Sequence, residues 1–240
     1  METWRLIDLP SYDPFLNLSM EEAIFRSVSE GKSSNTIRFW CNSPCVIVGY
    51  SQHVMHEVEV DICKKMKIAI VRRFTGGGTV YQDLGNINFS FIIHKNHRLF
   101  SSSIMKTYEV VARGFIKGLE LLGLRTDLSA NEILFEGKKI SGMAGANRFR
   151  ACIRHGTLLV DSDLNVMKKV LRNFKKEVTN LNEHSVKKLT IDYVKEALIK
   201  GFEQEYSIKL EKDDLTSEER NTTNVLYEKK YSLDKWNFKK

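Results

Sequence analysis

Long hydrophobic runs and cysteines are scarce in this sequence, and each scarcity excludes a class of protein. No apolar stretch approaches the roughly 20 residues that a helix needs to cross a bilayer. Only 4 cysteines occur among 240 residues, too few for the disulfide framework of a small secreted domain. The N-terminus also lacks the basic and then apolar order of a secretory signal peptide. The sequence therefore predicts a cytoplasmic protein without membrane contact.

Charged and apolar residues are present in the proportions of a globular protein. Hydrophobic residues make up 42% of the chain and charged residues 28%. The net charge of +7 indicates an acidic partner, such as ATP, an acidic protein or nucleic acid. The lysines are spread along the chain without a stripe of interleaved aromatic residues. Nucleic acid is therefore not the predicted partner.

The spacing of apolar residues predicts an α+β fold, because strands cluster in the middle of the chain with helices around and between them. Residues 37–40 and 45–50 are predicted to pair as strands, and Glu136-Gly137 to form a tight hairpin turn. We predict a single domain over residues 1–240, with a helical segment over about 187–240. Other predicted strands are 68–73, 87–93 and 157–160, and predicted helices are 17–29, 58–66, 104–122 and those capped by Thr190 and Thr216.

Three consecutive glycines follow the predicted strand 68–73. Glycine has no Cβ atom, so a ligand can approach this loop and its N–H groups can bind anionic oxygen. Arg72 and Arg73 add positive charge just before the loop. Two common nucleotide loops are excluded, because Arg26 replaces the first glycine of a P-loop and Tyr81 replaces the third glycine of a dinucleotide fingerprint. The alternative interpretation is a glycine-rich hairpin with solvated arginines.

Four segments of the chain resemble lipoate–protein ligases of the biotin/lipoate ligase superfamily, and they occur in the order of that family. The first combines RFW at 38–40 with VIVG at 46–49. The second is RRFTGGGTVYQDLGNINFS at 72–90. The third combines GKKISG at 137–142 with HGTLL at 155–159, and the fourth combines KYS at 230–232 with WNF at 236–238. The resemblance covers nearly the whole chain.

The resemblance implies a fold and an activity. The implied fold is a mixed, mostly antiparallel central sheet flanked by helices, similar to biotin ligases and class II tRNA synthetases. The implied reaction joins lipoate, or octanoate, to ATP with Mg²⁺ to give lipoyl-AMP. The acyl group then passes to a lysine of lipoyl-domain proteins, namely 2-oxoacid dehydrogenase E2 subunits and the glycine cleavage H protein.

The resemblance also implies an accessory protein. Ligases of this kind often carry a small C-terminal domain after the segment that matches residues 236–238, whereas this sequence stops at Lys240. We therefore predict that the chain lacks this domain. The shortened form resembles the archaeal-type catalytic subunit, which depends on a separately encoded small subunit.

The resemblance assigns roles to individual residues. Lys139 would be the catalytic cation, since one lysine between a carboxylate and a phosphate can stabilise the charge of both reaction steps. The alternatives are an exposed hairpin lysine at Lys139 and a purely structural histidine at His155. Residues predicted to bind ATP or lipoyl-AMP are Arg72, Gly76, Gly77, Gly78, Tyr81, Asp83, Asn86, Asn88 and Lys139. Residues predicted to bind lipoate are Trp40, Gly77, Gly78, His155, Gly156 and Thr157.

Cys152 supports an alternative reaction. It precedes His155 by three residues, as the nucleophile does in the related octanoyl transferases, where a lysine matching Lys139 activates it. Nearby cations would lower the pKa of this thiol. The alternative function is therefore ATP-independent octanoyl or lipoyl transfer through a thioester. A third variant would need a cysteine between Glu120 and Gly137, and that stretch has none.

Two further interpretations stay open at this stage. Cys41 and Cys45 with His53 and His56 invite a zinc site, but their spacing is too short for a zinc finger, so no metal ligands are assigned. The chain could also be a non-catalytic protein that binds an acyl-adenylate or nucleic acid. The combination of Lys139 with an intact glycine loop favours an enzyme.

Overall fold

The structure is a computed structural model that describes residues 1–172, 174 and 176–239. The strands are β1 (Glu2–Ile7), β2 (Thr36–Trp40), β3 (Cys45–Val48), β4 (Ala69–Arg72), β5 (Val80–Gln82), β6 (Asn86–His94), β7 (Asp127–Ser129), β8 (Glu132–Phe135), β9 (Lys138–Arg148), β10 (Ala151–Leu159) and β11 (Ile208–Lys212). The helices are α1 (Pro14–Ser29), α2 (Val54–Glu57), α3 (Val60–Lys65), α4 (Ile104–Glu120), α5 (Leu164–Val170), α6 (Ile191–Tyr206), α7 (Ser217–Leu226) and α8 (Asp234–Asn237). Short turns of 3-10 helix at Leu181–Glu183 and of π-helix at Tyr227–Tyr231 complete the elements.

Two sheets form the centre of the fold. The large sheet has eight strands in the order β11-β1-β2-β6-β10-β9-β8-β7, and the small sheet has the order β4-β3-β5. In the large sheet β1 pairs in parallel with β2 and β11, and the other neighbours are antiparallel. The mixed, mostly antiparallel sheet of the sequence analysis is confirmed. The segment over about 187–240 also contains a strand, since β11 lies at the edge of this sheet.

The predicted strand pair at 37–40 and 45–50 is wrong. The first strand, β2, pairs with β1 and β6, whereas β3 pairs with β4 and β5 in the other sheet. Every residue of both strands is buried, so each lies inside its own sheet. The connection between them is anchored by Asn42, whose Nδ2 donates to Gln82 Oε1 over 2.6 Å. Local turn residues predict a hairpin, but burial on both faces decides against it.

Helix α1 begins before the position predicted from Asn17. Its N-cap is Asp13, whose side chain accepts hydrogen bonds from the N–H groups of Phe15 and Leu16. Asn17 lies inside the helix and is fully buried. Its side chain donates to Asn42 and accepts from Arg38, so it ties α1 to β2. The predicted caps Thr190 and Thr216 are confirmed.

The large sheet is covered on both faces. On one face, α4 packs Phe115 against Phe89 of β6, with ring centroids 4.1 Å apart, and α6 packs Phe202 against Phe115 and against Phe91 of β6. Burying one such ring stabilises the fold by about 1.5–3 kcal/mol. On the other face, α1 packs Ile24 against Ile153 of β10. No helix of the described residues is both long and apolar enough to cross a membrane.

Candidate active site

Two rows of residues cross the α1 face of the large sheet. Residues directly opposite on neighbouring strands share a face, as do residues two apart along one strand. The first row, on β2, β6, β10 and β9, is Trp40, Asn88, Thr157 and Gly142. The second row, on the same strands, is Arg38, Ser90, His155 and Ala144. The sheet therefore brings four separate parts of the sequence onto one surface.

Lys139 reaches this face because β9 contains one residue more than β8 opposite it. Ser141 pairs with Ile133, but Lys139 pairs with the next residue of β8, so Ile140 has no partner of its own. Such a bulge shifts the alternation by one residue, so the side chains beyond it point to the opposite face from the one they would otherwise have. The Lys139 side chain consequently lies over Gly142, where an added Cβ atom would be only 2.5 Å from Lys139 Nζ.

A cavity of about 380 Å³ opens on the α1 face. Of the predicted site residues, those that line it are Trp40, Gly78, Tyr81, Lys139, His155, Gly156 and Thr157. Those that do not line it are Arg72, Gly76, Gly77, Asp83, Asn86, Asn88 and Cys152. Polar lining residues that the sequence analysis did not identify include Thr79, Gln82, Asn131, Glu132, Ser141 and Lys176. Asn131 and Glu132 lie at the start of the hairpin that carries Lys139, and their closeness to Lys139 in the sequence is the signal that could have identified them.

Lys139 is half-buried and ion-paired within the cavity wall. Its Nζ donates to Glu132 Oε1 over 2.9 Å, and the Nζ of Lys176 donates to the same oxygen. Burial opposes ionisation of Glu132, but the two lysines outweigh it and lower the pKa of the carboxyl. The Lys139 backbone is also fixed, because its N–H donates to Glu177 O and its carbonyl accepts from the N–H of Thr179. The ammonium group of Lys139 is therefore held at the cavity wall.

The glycine loop is shaped by close backbone contacts and by Arg73. Gly77 has a φ of +93°, and a Cβ atom there would lie 2.7 Å from Ala144 Cβ, so a larger residue does not fit. The buried Arg73 guanidinium donates to the carbonyl oxygens of Gly76 and Gly78, over 2.7 Å in each case. Arg73 therefore sets the conformation of a loop whose last glycine lines the cavity.

Arg72 has a different environment from the one predicted. Its buried guanidinium donates to backbone carbonyls of the loop after β3 and of the C-terminal segment, namely those of Gly49, Tyr50, Gln52, Trp236 and Lys239. In return, Trp236 Nε1 donates to Arg72 O over 2.7 Å. This arginine joins two segments of the fold, and its predicted contact with the adenylate stays a prediction that these bonds do not support.

Asp83, Asn86 and Asn88 hydrogen-bond to the protein itself. Asp83 accepts from the N–H groups of Gly85 and Asp163, which fixes the N-terminus of α5. Asn86 Oδ1 accepts from the N–H of Asp83, and its Nδ2 donates to Asn88 Oδ1 over 3.0 Å. These three side chains hold the β5–β6 turn together. Their predicted binding of the nucleotide stays a prediction.

His155 belongs to a buried polar network beneath α1. Its Nδ1 lies 2.8 Å from Glu21 Oε1, and its Nε2 lies 2.7 Å from Thr75 Oγ1. Burial opposes ionisation of Glu21, but His155, the Ser90 hydroxyl and Arg38 outweigh it and lower the pKa of this carboxyl. An ionised carboxylate only accepts, so Nδ1 carries a proton and donates it. The network thus ties α1 to the residue that precedes the glycine loop.

Two buried polar atoms of the cavity wall have no hydrogen-bond partner among the described residues. They are Trp40 Nε1 and Thr79 Oγ1. Buried polar groups are normally paired, so this group indicates that the cavity receives a ligand with polar atoms. The Trp40 ring is held in place by Arg38, whose Cζ lies 4.3 Å from the ring centroid.

Cys152 is not brought together with Lys139. The thiol is fully buried in the cluster on the α4/α6 face, whereas His155, an odd number of residues further along β10, lies on the α1 face. Burial raises the pKa of the Cys152 thiol, although Arg154 and Thr107 partly oppose this. All four cysteines are buried, and none of them lines the described cavity.

The zinc hypothesis gains no support from the structure. Across residues 1–172, 174 and 176–239, no group of three or more His, Cys, Asp or Glu side chains could hold a metal ion. His53 and His56 stack on one another, with ring centroids 5.1 Å apart. Cys41 and Cys45 are buried.

Comparison with known protein families shows to which family the chain belongs. The family described as "Lipoyl protein ligase A/B catalytic domain" matches residues 13–203. This range contains the glycine loop, Lys139 and all residues that line the cavity. The chain belongs to this family. The resemblance stated from the sequence motifs is confirmed.

Relatives within this lipoyl protein ligase family include both transferases and ligases. Octanoyltransferase LipM of Geobacillus kaustophilus (strain HTA426) is 32% identical over 100% of this chain and 99% of its own length. Lipoate-protein ligase A subunit 1 of Thermoplasma acidophilum is 34% identical over 92% of this chain and 91% of its own length. The chain is therefore an enzyme of a family that contains both activities.

Solved structures of lipoate–protein ligases share the fold. A ligase from T. acidophilum with bound lipoic acid has a TM-score of 0.90 at 33% identity, over 99% of this chain and 100% of that one. A bi-partite ligase of Thermoplasma acidophilum, described with its E2 lipoyl domain, has a TM-score of 0.91 at 31% identity, over 99% and 97%. Lipoate-protein ligase A bound with ATP has a TM-score of 0.91 at 33% identity, over 99% of both chains. The predicted lipoate ligase fold is confirmed.

Proposed function

We propose that this chain is a lipoate–protein ligase. It activates lipoate, or octanoate, with Mg-ATP to the acyl-AMP and transfers the acyl group to a lysine of a lipoyl-domain protein. The observation that carries the proposal is the position of Lys139, which the bulge at Ile140 places on the cavity face beside Gly142. Among the residues that the structure describes, this cavity contains a cation for adenylate chemistry but no thiol.

The charge that develops during the reaction explains the need for Lys139. Adenylation places negative charge on the α-phosphate, and acyl transfer places it on a tetrahedral oxygen. A preorganised ammonium group stabilises both. Glu132 and the backbone bonds to Glu177 and Thr179 hold Lys139 in position before the ligand arrives.

The shape and polarity of the cavity support acyl and nucleotide substrates. Trp40 and Met167 provide apolar surface, and the unpaired Trp40 Nε1 and Thr79 Oγ1 provide hydrogen-bonding groups. The related ligase structures with bound lipoic acid and with bound ATP support the same two substrates here. Mg²⁺ would enter with ATP as its counterion.

A second candidate is ATP-independent octanoyl transfer. The full-length similarity to octanoyltransferase LipM favours it, and several octanoyltransferases are among the relatives. A thioester on Cys152 would, however, require the thiol to reach the opposite face of the sheet. A non-catalytic acyl-adenylate or nucleic-acid binding protein is the third hypothesis, and the pre-positioned Lys139 argues against it.

One pair of assays separates the two reactions. The protein is incubated with an apo lipoyl domain and either lipoate with Mg-ATP or octanoyl-acyl carrier protein without ATP. We expect acylation of the domain only in the first mixture, detected as a mass increase. Acylation only in the second mixture would establish the transferase and contradict the ligase.

Replacement of Cys152 by serine should leave ATP-dependent lipoylation within about twofold of the wild-type rate, because this thiol does not face the cavity. Stability should fall slightly, since a hydroxyl replaces a thiol in an apolar cluster. Cys63→Ser, another buried cysteine, is the matched control. Loss of acyl transfer in Cys152→Ser alone, with both variants folded, would contradict this prediction and favour the thioester route.

We further propose that residues 1–240 form one catalytic domain that works in the cytoplasm with a separately encoded small subunit. The relative named subunit 1 and the bi-partite ligase support this arrangement. E2 subunits and the H protein are the proposed carriers. Lipoylation of an apo lipoyl domain by the purified chain at a rate that an added small subunit does not raise would contradict the need for a second subunit.

A further inference from the structure

The tip of the β9–β10 hairpin exposes an aromatic residue between two arginines. Arg148 ends β9, and Phe149 and Arg150 connect it to β10. The Phe149 side chain is 75% exposed, and its φ of +49° lies in a region that bulky residues rarely adopt. A strained, exposed ring contributes little to packing, and such outliers concentrate at functional sites.

The tip adjoins an exposed tyrosine at the edge of the glycine loop. Arg148 Cζ lies 5.3 Å and Lys239 Nζ 3.5 Å from the ring centroid of Tyr50. Tyr50 is 41% exposed, and its N–H donates to Thr75 O, one residue before the loop. We define the hairpin patch as Tyr50, Arg148, Phe149, Arg150 and Lys239.

The positive charge of the hairpin patch is not neutralised within the described part of the chain. Arg148, Arg150 and Lys239 form no ion pair with a carboxylate among residues 1–172, 174 and 176–239. Arg150 acts on Glu30 at longer range, but Glu30 is itself paired with Lys32 over 2.7 Å. Arginine and aromatic residues together are the composition enriched at protein interfaces. The patch is therefore suited to an acidic protein surface.

Strand β9 connects the hairpin patch to the cavity. Ala144 lines the cavity and precedes Arg148 by four residues, a span of about 13 Å along a strand. A folded domain of about 100 residues has a radius of gyration of about 13 Å. A domain of this size seated on the patch would thus also reach the glycine loop.

We propose that the hairpin patch is the docking surface for the carrier, and that the partner is a small folded domain with acidic residues around its acceptor lysine. This inference rests on the proposed function and adds the surface that presents the acceptor to the cavity. The aromatic rings supply apolar contact, and the three cations supply charge complementarity.

A direct measurement of binding tests the docking surface separately from the chemical reaction. An apo E2 lipoyl domain is titrated into the protein by calorimetry, without lipoate or ATP. The double variant Arg148→Glu/Arg150→Glu should raise Kd at least tenfold, and higher salt should weaken wild-type binding. The control Lys64→Glu/Lys65→Glu makes the same charge change at exposed sites on α3 and should leave Kd within twofold. An unchanged Kd in the first variant, or an equal loss in the control, overturns the proposal.

The variant Phe149→Gly removes the exposed aromatic ring but keeps the backbone conformation of the β9–β10 turn. Glycine adopts the φ of this position without strain, so the Tm of the variant should equal or exceed that of the wild type. Binding of the lipoyl domain should nevertheless weaken about tenfold, because the exposed ring is lost. Wild-type affinity in a folded Phe149→Gly protein would contradict the docking role of the ring.

Adenylation serves as the independent readout. Hydroxylamine traps lipoyl-AMP as a hydroxamate without a carrier, and Arg148→Glu/Arg150→Glu should form it within twofold of the wild-type rate. If the wild type forms none, the proposed function fails while the binding result still decides the docking surface. A DNA duplex that binds more tightly than the lipoyl domain, and is lost in the same variant, would assign the patch to nucleic acid and overturn the proposal.

Discussion

Replacement of Lys139 by alanine should lower the rate of lipoyl-AMP formation by about 10²- to 10³-fold. The reason is the position of its ammonium group, which lies over Gly142 at the cavity wall and is held there by Glu132. The rate is measured as hydroxamate formed from lipoate, Mg-ATP and hydroxylamine. Stability should change little, because Lys139 is half-buried and its stem packs over a glycine.

The chain provides a matched control for this experiment. Lys138 precedes Lys139 in the same strand and is exposed, so Lys138→Ala should retain the wild-type rate. Lys139→Arg keeps the charge but changes its geometry from a point to a planar fork, so only partial activity is expected. A Lys139→Ala protein with more than about a tenth of the wild-type rate would contradict the proposed role.

Replacement of Glu21 by alanine should lower the free energy of unfolding by about 1–3 kcal/mol, the cost of leaving a buried hydrogen-bond donor without its acceptor. Glu21 is fully buried, and it accepts hydrogen bonds from His155 and Ser90. Its loss leaves the His155 Nδ1–H without an acceptor beneath α1. The measurement is chemical unfolding at neutral pH, analysed as a two-state transition.

The pH dependence of this effect has a defined sign. The folded pKa of Glu21 lies below its ordinary value of 4.5, so its stabilisation is fully present above that pH. It is lost as the pH falls through the folded pKa, and the wild type and Glu21→Ala should therefore converge in stability below about pH 4.5. Glu109→Ala on α4, whose partner Arg113 is exposed, should change stability only slightly at any pH. An equal effect of the two variants would contradict the buried-network interpretation.

Adjacent residues show what a motif can and cannot predict. The sequence places Arg72 and Arg73 beside the glycine loop, and the resemblance gives the ligand contact to the first. In the structure, Arg73 donates to the loop and lines the cavity, whereas Arg72 holds the C-terminal segment. Neighbouring residues of a strand point to opposite faces, and the motif itself does not say which face is the site.

Cys152 and Lys139 illustrate the same limit through strand geometry. Cys152 lies three positions before His155, and on a strand this odd interval puts the two side chains on opposite faces. The predicted strand started only at residue 157, so this consequence could not be drawn from the sequence. Lys139 depends on the extra residue Ile140 in β9, and a bulge is defined by pairing with another strand.

The sequence by itself determined the family, the α+β class, the glycine loop and the hairpin that carries Lys139, because each is encoded by consecutive residues or by local spacing. The tertiary structure alone decided that β2 and β3 belong to different sheets, that Trp40 and Thr79 contribute unpaired groups to the cavity, and that Cys152 faces away from it. These outcomes depend on register and burial between segments far apart in the chain. The few cysteines of the sequence first excluded a disulfide framework. In the structure none of them lines the cavity among the described residues.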